Sequence, residues 1–386
     1  MASGDARPAQ KVGTQMTKTM RAARMHAVGE PMVIEEVPLP APTGADVRVQ
    51  VRSCNIVPNL ANILANWTTW FPQNPLPALP AIFGLDPAGV VDAVGPDVVG
   101  FAPGDRVYVS PGRSCGACPE CRRGEIMHCQ HFAFAGYFGL TPTSRVMLDR
   151  YPYGGLAEYM LAPQSALVSL PDNLTFHRAA RFGYLGTGYA ALAKAQLGPG
   201  STLLVNGISG TLGIGIALFA LAQGVTTILG TGRNHDLLER VRALAPERIQ
   251  VFSTADGGAI DEWVRDVTDG GVDGYISALG PNTPHEPFLQ GLRSLRRGGR
   301  AVNIGATAGD VPIDVHHLMD QQQSLIGSCW FSAGEGQQMA ALAGSGAVDL
   351  SVFEDVVFEL DKVNEAINGL ENRHGGFSNY IVQPTA

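Results

Sequence analysis

The second half of the chain reads as an α/β fold on a parallel sheet. Two observations predict this. Short apolar runs of strand length recur between residues 201 and 330, and each is followed by a glycine-rich turn, most by a helical stretch. A third observation marks a separate unit in the first half: residues 112–129 read GRSCGACPECRRGEIMHC and hold four of the six cysteines.

With 386 residues, one large or two ordinary domains are expected. The chain is 45% hydrophobic and 16% charged, enough for a large buried core. The formal charge of −8 argues against nucleic acid as a partner, since phosphate binding needs a basic surface. Residues 1–19 (MASGDARPAQKVGTQMTKT) are polar and small, and read as a disordered tail rather than a targeting segment. The most apolar window, Leu203 to Val225, is broken by Asn206, Ser209, Thr211 and glycines and makes a poor membrane span. A cytoplasmic protein with no membrane partner is the expectation. In a reducing compartment, clustered cysteines read as metal ligands.

Cys115, Cys118, Cys121 and Cys129 follow the spacing C-x2-C-x2-C-x7-C. Four thiolates on one short loop can close a tetrahedral shell around zinc, at about 2.3 Å per bond. Such a shell leaves no open position, so the metal would hold structure and not catalyse. Gly112, Gly116 and Pro119 supply tight turns. Free thiols or disulfides are the alternative; an iron–sulfur cluster uses different spacings.

Residues 201–224 read STLLVNGISGTLGIGIALFALAQG. Leu203–Val205 fit a buried strand, and Gly207, Gly210 and Gly213 precede an apolar helical stretch. Glycines there let the backbone approach a pyrophosphate, while the helix start offers unpaired N–H groups. Ser209, Thr211 and Leu212 belong to the same loop. The spacing departs from G-x-G-x-x-G, and a purely structural turn remains the alternative. The next strand, TTILGTGRN (226–234), ends in Thr231, Gly232, Arg233 and Asn234 without the acidic residue that usually meets a free ribose hydroxyl. Arg233 could pair with a 2′-phosphate, which points to NADP(H); a solvated surface arginine is the bland reading. VDGYISALG (272–280), RAVNIGA (300–306) and QSLIGSCW (323–330) read as later strands, with Ala278 and Gly305 at ends that face a cofactor.

Taken in order, VRVQVRSCNIVPN (48–59), GLDPAGVVDAVG (84–95), GDRV (104–107), the cysteine lobe, GGLAEYM (154–160), TGYAAL (187–192) and GISGTLG (207–213) resemble the medium-chain dehydrogenase/reductase superfamily, the zinc-type alcohol dehydrogenase and quinone reductase group. The resemblance covers about residues 20–384. It implies a GroES-like, partly β-barrel catalytic domain (20–176, with the zinc lobe at 112–130), a doubly wound Rossmann domain for NADP (177–330), and a return to the catalytic domain (331–386). It also implies a homodimer or homotetramer, and a contact between Thr187 and the nicotinamide region.

The departures matter most. Relatives of the zinc type hold a catalytic zinc through a Cys, a His in a GHE motif, and a third Cys or acid. Here those positions read Val57, Leu85 in Gly84-Leu85-Asp86, and Gly183 in Arg181-Phe182-Gly183-Tyr184. Only Asp86 keeps a donor, and one carboxylate is not a zinc site. Strand alternation places Cys54 on the face opposite Val57.

Without a Lewis acid, hydride transfer needs an acceptor that hydrogen bonds can polarise, such as an enone or a quinone. Candidate donors are Tyr137, Tyr184, Asn59 and Asp86, each of which could equally be a packing or structural residue. The aromatic stretch Asn66 to Phe71 reads as a loop near a hydrophobic or aromatic substrate, or as core. The leading expectation is NADPH-dependent reduction of an activated C=C or quinone-like acceptor. A metal-independent carbonyl reductase or alcohol dehydrogenase is the second, and an NADPH-binding protein with little turnover the third.

Overall fold

The computed structural model describes residues 18–70, 72–281, 283–307 and 309–385, apart from the side chains of 67, 68 and 70. Most of the expected tail, residues 1–17, lies outside the described residues, and Thr19 already opens a strand, Thr19–Met25.

The first domain is built around the long strand Asp46–Asn55. Val47, Val49 and Val51 alternate inward and are fully buried, the period-2 pattern of a half-covered sheet. This strand pairs antiparallel with Asp86–Val94 and Tyr159–Pro163, and with Ser378–Gln383 from the far end of the chain. Ser378–Gln383 in turn pairs parallel with Glu354–Glu359. The sheet therefore has seven strands drawn from both ends of the sequence.

Between them lies a six-stranded parallel sheet. Its order is Ile249–Ser253, Thr227–Gly232, Thr202–Asn206, Val272–Ser277, Leu295–Asn303, Ser324–Gly327. That is the 3-2-1-4-5-6 order of a doubly wound dinucleotide fold, whose switch point is the first strand. Asn206 ends this strand and ties it to both neighbours. Its Nδ2 donates to the Tyr275 hydroxyl at 3.1 Å, and its Oδ1 accepts from Thr231 Oγ1 at 3.0 Å. The last strand is shorter than the sequence suggests, ending at Gly327.

Two helices, Phe182–Ala195 and Thr211–Ala222, pack across one face of this sheet at glycine contacts. A Cβ on Gly188 would lie 2.9 Å from Ile216, and one on Gly215 3.0 Å from Leu185. Residues 60–70 form a helix, Leu60–Trp70, which corrects the expected loop at 66–71. Apolar residues Leu60, Ile63 and Leu64 sit at helical spacing and bury that face. The side chains of Trp67, Thr68 and Trp70, and Phe71 as a whole, lie outside the described residues. None of the described helices is long and apolar enough to cross a membrane.

Candidate functional site

Three groups of residues carry candidate chemistry: a cysteine shell, a glycine-rich phosphate cradle, and a buried carboxyl with tyrosines near it.

The cysteine loop folds so that the sulfurs of Cys115, Cys118, Cys121 and Cys129 all lie within 4.8 Å of one another. Among the described residues no other cluster of three or more His, Cys, Asp or Glu could hold a metal. The backbone N–H of Cys118 donates to Cys115 Sγ at 3.3 Å, and the N–H groups of Cys115 and His131 donate to Cys129 Sγ at 3.3 and 3.4 Å. Backbone donors pull the Cys118 thiol down to about 6, the N–H of Cys121 most strongly. Four such sulfurs fit a tetrahedral zinc with no coordination site left over.

The cradle is formed by Gly207, Ser209, Gly210, Thr211, Leu212 and Gly213. Gly207 turns the chain at φ +82°. A Cβ on Gly213 would sit 2.2 Å from the Gly207 carbonyl oxygen, so the helix start lies directly on the loop. Gly210 caps the Thr211–Ala222 helix without a side-chain bond, leaving the first-turn N–H groups open. That is the geometry a dinucleotide pyrophosphate needs. Ala278 and Gly305 join this edge: a Cβ on Gly207 would lie 3.0 Å from the Ala278 carbonyl, and one on Gly305 2.5 Å from that of Leu279.

Thr231 does not present its hydroxyl there; it is 2% exposed and its Oγ1 bonds Asn206 within the sheet. Arg233 is exposed at the end of the second strand. Asn234 caps the next helix, accepting from the Leu237 N–H at 3.0 Å. Sequence reasoning missed the segment that backs the cradle: the Gly376 N–H donates to the Ser209 carbonyl at 2.9 Å.

The carboxyl of Asp86 is fully buried. Its Oδ1 accepts from the Tyr108 hydroxyl at 2.8 Å, and its Oδ2 has no partner among the described residues. Burial pushes this carboxyl up to about 7, against the Tyr108 bond and the Arg181 charge, which pull it down. A Cβ on Gly183 would lie 2.1 Å from Asp86 Oδ1. The missing side chain at 183 thus makes the room that the carboxyl fills. Val57 and Leu85 are 1% and 4% exposed and offer only hydrocarbon.

Tyr184 and Tyr137 belong to the same cluster. Burial, then the Asp86 charge, raises the Tyr184 hydroxyl, while the Arg181 charge and the Asn59 backbone pull it down. Burial, first of all, likewise raises Tyr137, and ionisation of Tyr184 or Asp86 would raise it further. The Asn59 side chain accepts from Asn62 Nδ2 at 3.2 Å. Thr187 is on the same helix as Tyr184, and its hydroxyl donates to the Gly183 carbonyl at 2.9 Å.

Three members escaped the sequence reading. Tyr108 is an alternating strand residue with no motif of its own. Arg181 is 2% exposed, lies over the Phe353 ring at 4.9 Å, and donates from Nη2 to the Gly376 carbonyl at 2.6 Å. An arginine inside the apolar run Ala179 to Leu185 was the available signal. The third is Cys54. Its strand ends at Asn55, its thiol lies beside Gly155, and burial and then the Asp86 charge raise it. Cys54 and Asp86 make two donors, short of the three protein ligands a catalytic zinc requires.

Comparison with known proteins agrees with this anatomy. Residues 43–172 match the alcohol dehydrogenase GroES-like domain, and residues 211–345 match the zinc-binding dehydrogenase family. An NAD-dependent alcohol dehydrogenase of Sulfurisphaera tokodaii is 28% identical over 357 residues, 92% of this chain and 97% of that protein. A quinone oxidoreductase of Homo sapiens is 28% identical over 375 residues, 95% of this chain and 98% of that protein. The crystal structure of AibC superposes with a TM-score of 0.82 at 24% identity, covering 99% of this chain and all of that one, and so shares the fold. With both halves matched and full-length relatives of one kind, the chain belongs to the medium-chain dehydrogenase/reductase superfamily and is an oxidoreductase of that type.

Proposed function

We propose that the protein is an NADPH-dependent reductase of an activated C=C bond or a quinone-like acceptor, working without a metal at its catalytic corner. The observation that carries this reading is the corner itself. Asp86 occupies the space beside Gly183, and Val57 and Leu85 fill the remaining ligand positions with hydrocarbon. The bound nicotinamide supplies the hydride.

The chain's own residues supply polarisation and a proton. The Tyr184 hydroxyl, kept protonated by burial, donates to an acceptor oxygen. Tyr137, whose ionisation is opposed by Tyr184 and Asp86, is the second candidate for that role. Asp86, held near 7, exists in both protonation states at neutral pH and can restore a proton to the cluster. Arg233, exposed where an acid usually stands, favours the 2′-phosphate of NADPH. The cysteine shell binds one zinc as a structural brace. A homodimer or homotetramer in the cytoplasm completes the proposal.

Metal-free carbonyl reduction is the second reading, favoured by the protonatable Asp86 and by relatives named alcohol dehydrogenases. Cofactor oxidation followed in parallel with enones, quinones, aldehydes and ketones separates them. Turnover of enones or quinones with NADPH is expected. Exclusive turnover of aldehydes or ketones moves the assignment to the second reading, and binding without any turnover refutes both.

A further inference from the structure

A cleft of about 720 Å3 opens on the first domain, and none of the residues lining it belongs to the Asp86 cluster. Its volume falls within the roughly 300–1,000 Å3 of small-molecule sites. Arg52, Arg106, His177 and Arg178 face it, with Asp172 and Asp355. Asp355 is already matched, by Arg178 Nη1 at 3.2 Å and Asn379 Nδ2 at 2.7 Å. Asp172 alone then stands against Arg52 and Arg106, and the cleft is left positive.

Its construction is specific. Pairing between Asp46–Asn55 and Asp86–Val94 slips between Val51 and Ser53, which makes Arg52 the extra residue of a β-bulge. Neighbours on a regular strand point to opposite faces. The bulge instead puts Arg52 and Ser53 into the lining of the same cleft. Arg106 is fixed in place, its guanidinium 4.5 Å from the Phe176 ring centre and bonded through Nη2 to the Leu174 carbonyl.

Arg52 is exposed to solvent, while the Ser53 hydroxyl and Arg106 Nε are sealed from it and have no partner among the described residues. Arg52 and Arg106 stand on the two strands that flank Asp86–Val94, about 10 Å apart at the backbone. A ligand with charged groups at two ends can meet both guanidinium groups at once.

We propose that this cleft is a second ligand site, separate from the hydride-transfer site, for a small polyanion whose charge is spread over two or more oxyanion groups. The chemistry fits a diphosphate or a polycarboxylate.

The test is calorimetry and thermal melting of the whole protein with sodium pyrophosphate and, separately, sodium citrate. Sodium chloride at matched ionic strength is the control, and saturating nicotinamide cofactor blocks the glycine loop throughout. Saturable binding is expected, weakened roughly tenfold in Arg52→Ala, whose exposed side chain makes a folding failure an improbable confounder. Pyrophosphate alone binding identifies a phosphate ligand, citrate alone a carboxylate ligand, and either supports the site. Absence of saturable binding by both anions, or affinity unchanged in Arg52→Ala, overturns it.

Discussion

Tyr108 donates its hydroxyl hydrogen to Asp86 Oδ1 across 2.8 Å, while the second carboxyl oxygen stays unpaired inside the protein. One bond does not offset full burial, so the carboxyl rises to about 7. In the unfolded chain it returns to the ordinary range near 4. Between those values the native state holds the extra proton, so stability falls as pH climbs from about 4 to about 7 and levels off above. Asp86→Asn removes this titration. Melting temperatures of the two proteins from pH 4 to pH 8 should drift apart across that window; parallel curves would mean that Asp86 stays ionised.

Gly183 and Asp86 compete for one volume. Gly183→Ala should destabilise by about 1–3 kcal/mol, the usual penalty for overpacking. Asp86→Ala in the same chain frees the space, so the double variant should lose less than the sum of the two single losses. Denaturant midpoints of the four proteins measure the coupling, and strict additivity would separate the two residues.

Tyr184→Phe keeps the ring and removes the hydroxyl. If that hydroxyl polarises the acceptor, kcat/KM should fall by roughly a hundredfold or more with cofactor affinity unchanged. A loss confined to Tyr137→Phe would instead assign the donor to Tyr137.

Arg233→Ala should raise the KM for NADPH roughly tenfold and leave that for NADH alone, because a charged two-pronged contact is lost only for the phosphorylated ribose. Steady-state kinetics with both cofactors decide it. A wild-type preference for NADH rejects the assignment outright.

Metal analysis should find about one zinc per chain, held by the four cysteines. Cys118→Ser should lose it and melt earlier, because binding energy at a structural metal is also folding energy. Two zincs per chain, with activity lost on mild chelation, would contradict the metal-free corner.

Much of this was legible in the sequence because it is local. The C-x2-C-x2-C-x7-C loop can only close on itself, and strand, glycines and helix follow one another directly at 202–222. Empty ligand positions were legible too, since Val57, Leu85 and Gly183 are absences of chemistry wherever they sit. What fills the corner was not. The Asp86–Tyr108 bond joins different strands, and Arg181 meets Gly376 across 195 positions of sequence. The 66–71 stretch was read for its aromatic rings, and the helical spacing of Leu60, Ile63 and Leu64 that governs it lies just upstream.

The C-terminal end of the Asp46–Asn55 strand is closed on one side by residues 378–383: Ile381 faces Asn55, Val382 faces Cys54, and Asn379 bonds the Asn55 side chain at 2.7 Å. During synthesis on the ribosome, the inserted parallel sheet can emerge and fold whole while this flank waits unsealed. The carboxyl pocket beside it therefore matures last, and a nascent chain stalled before residue 378 would hold a finished nucleotide platform with no sheltered acid to serve it.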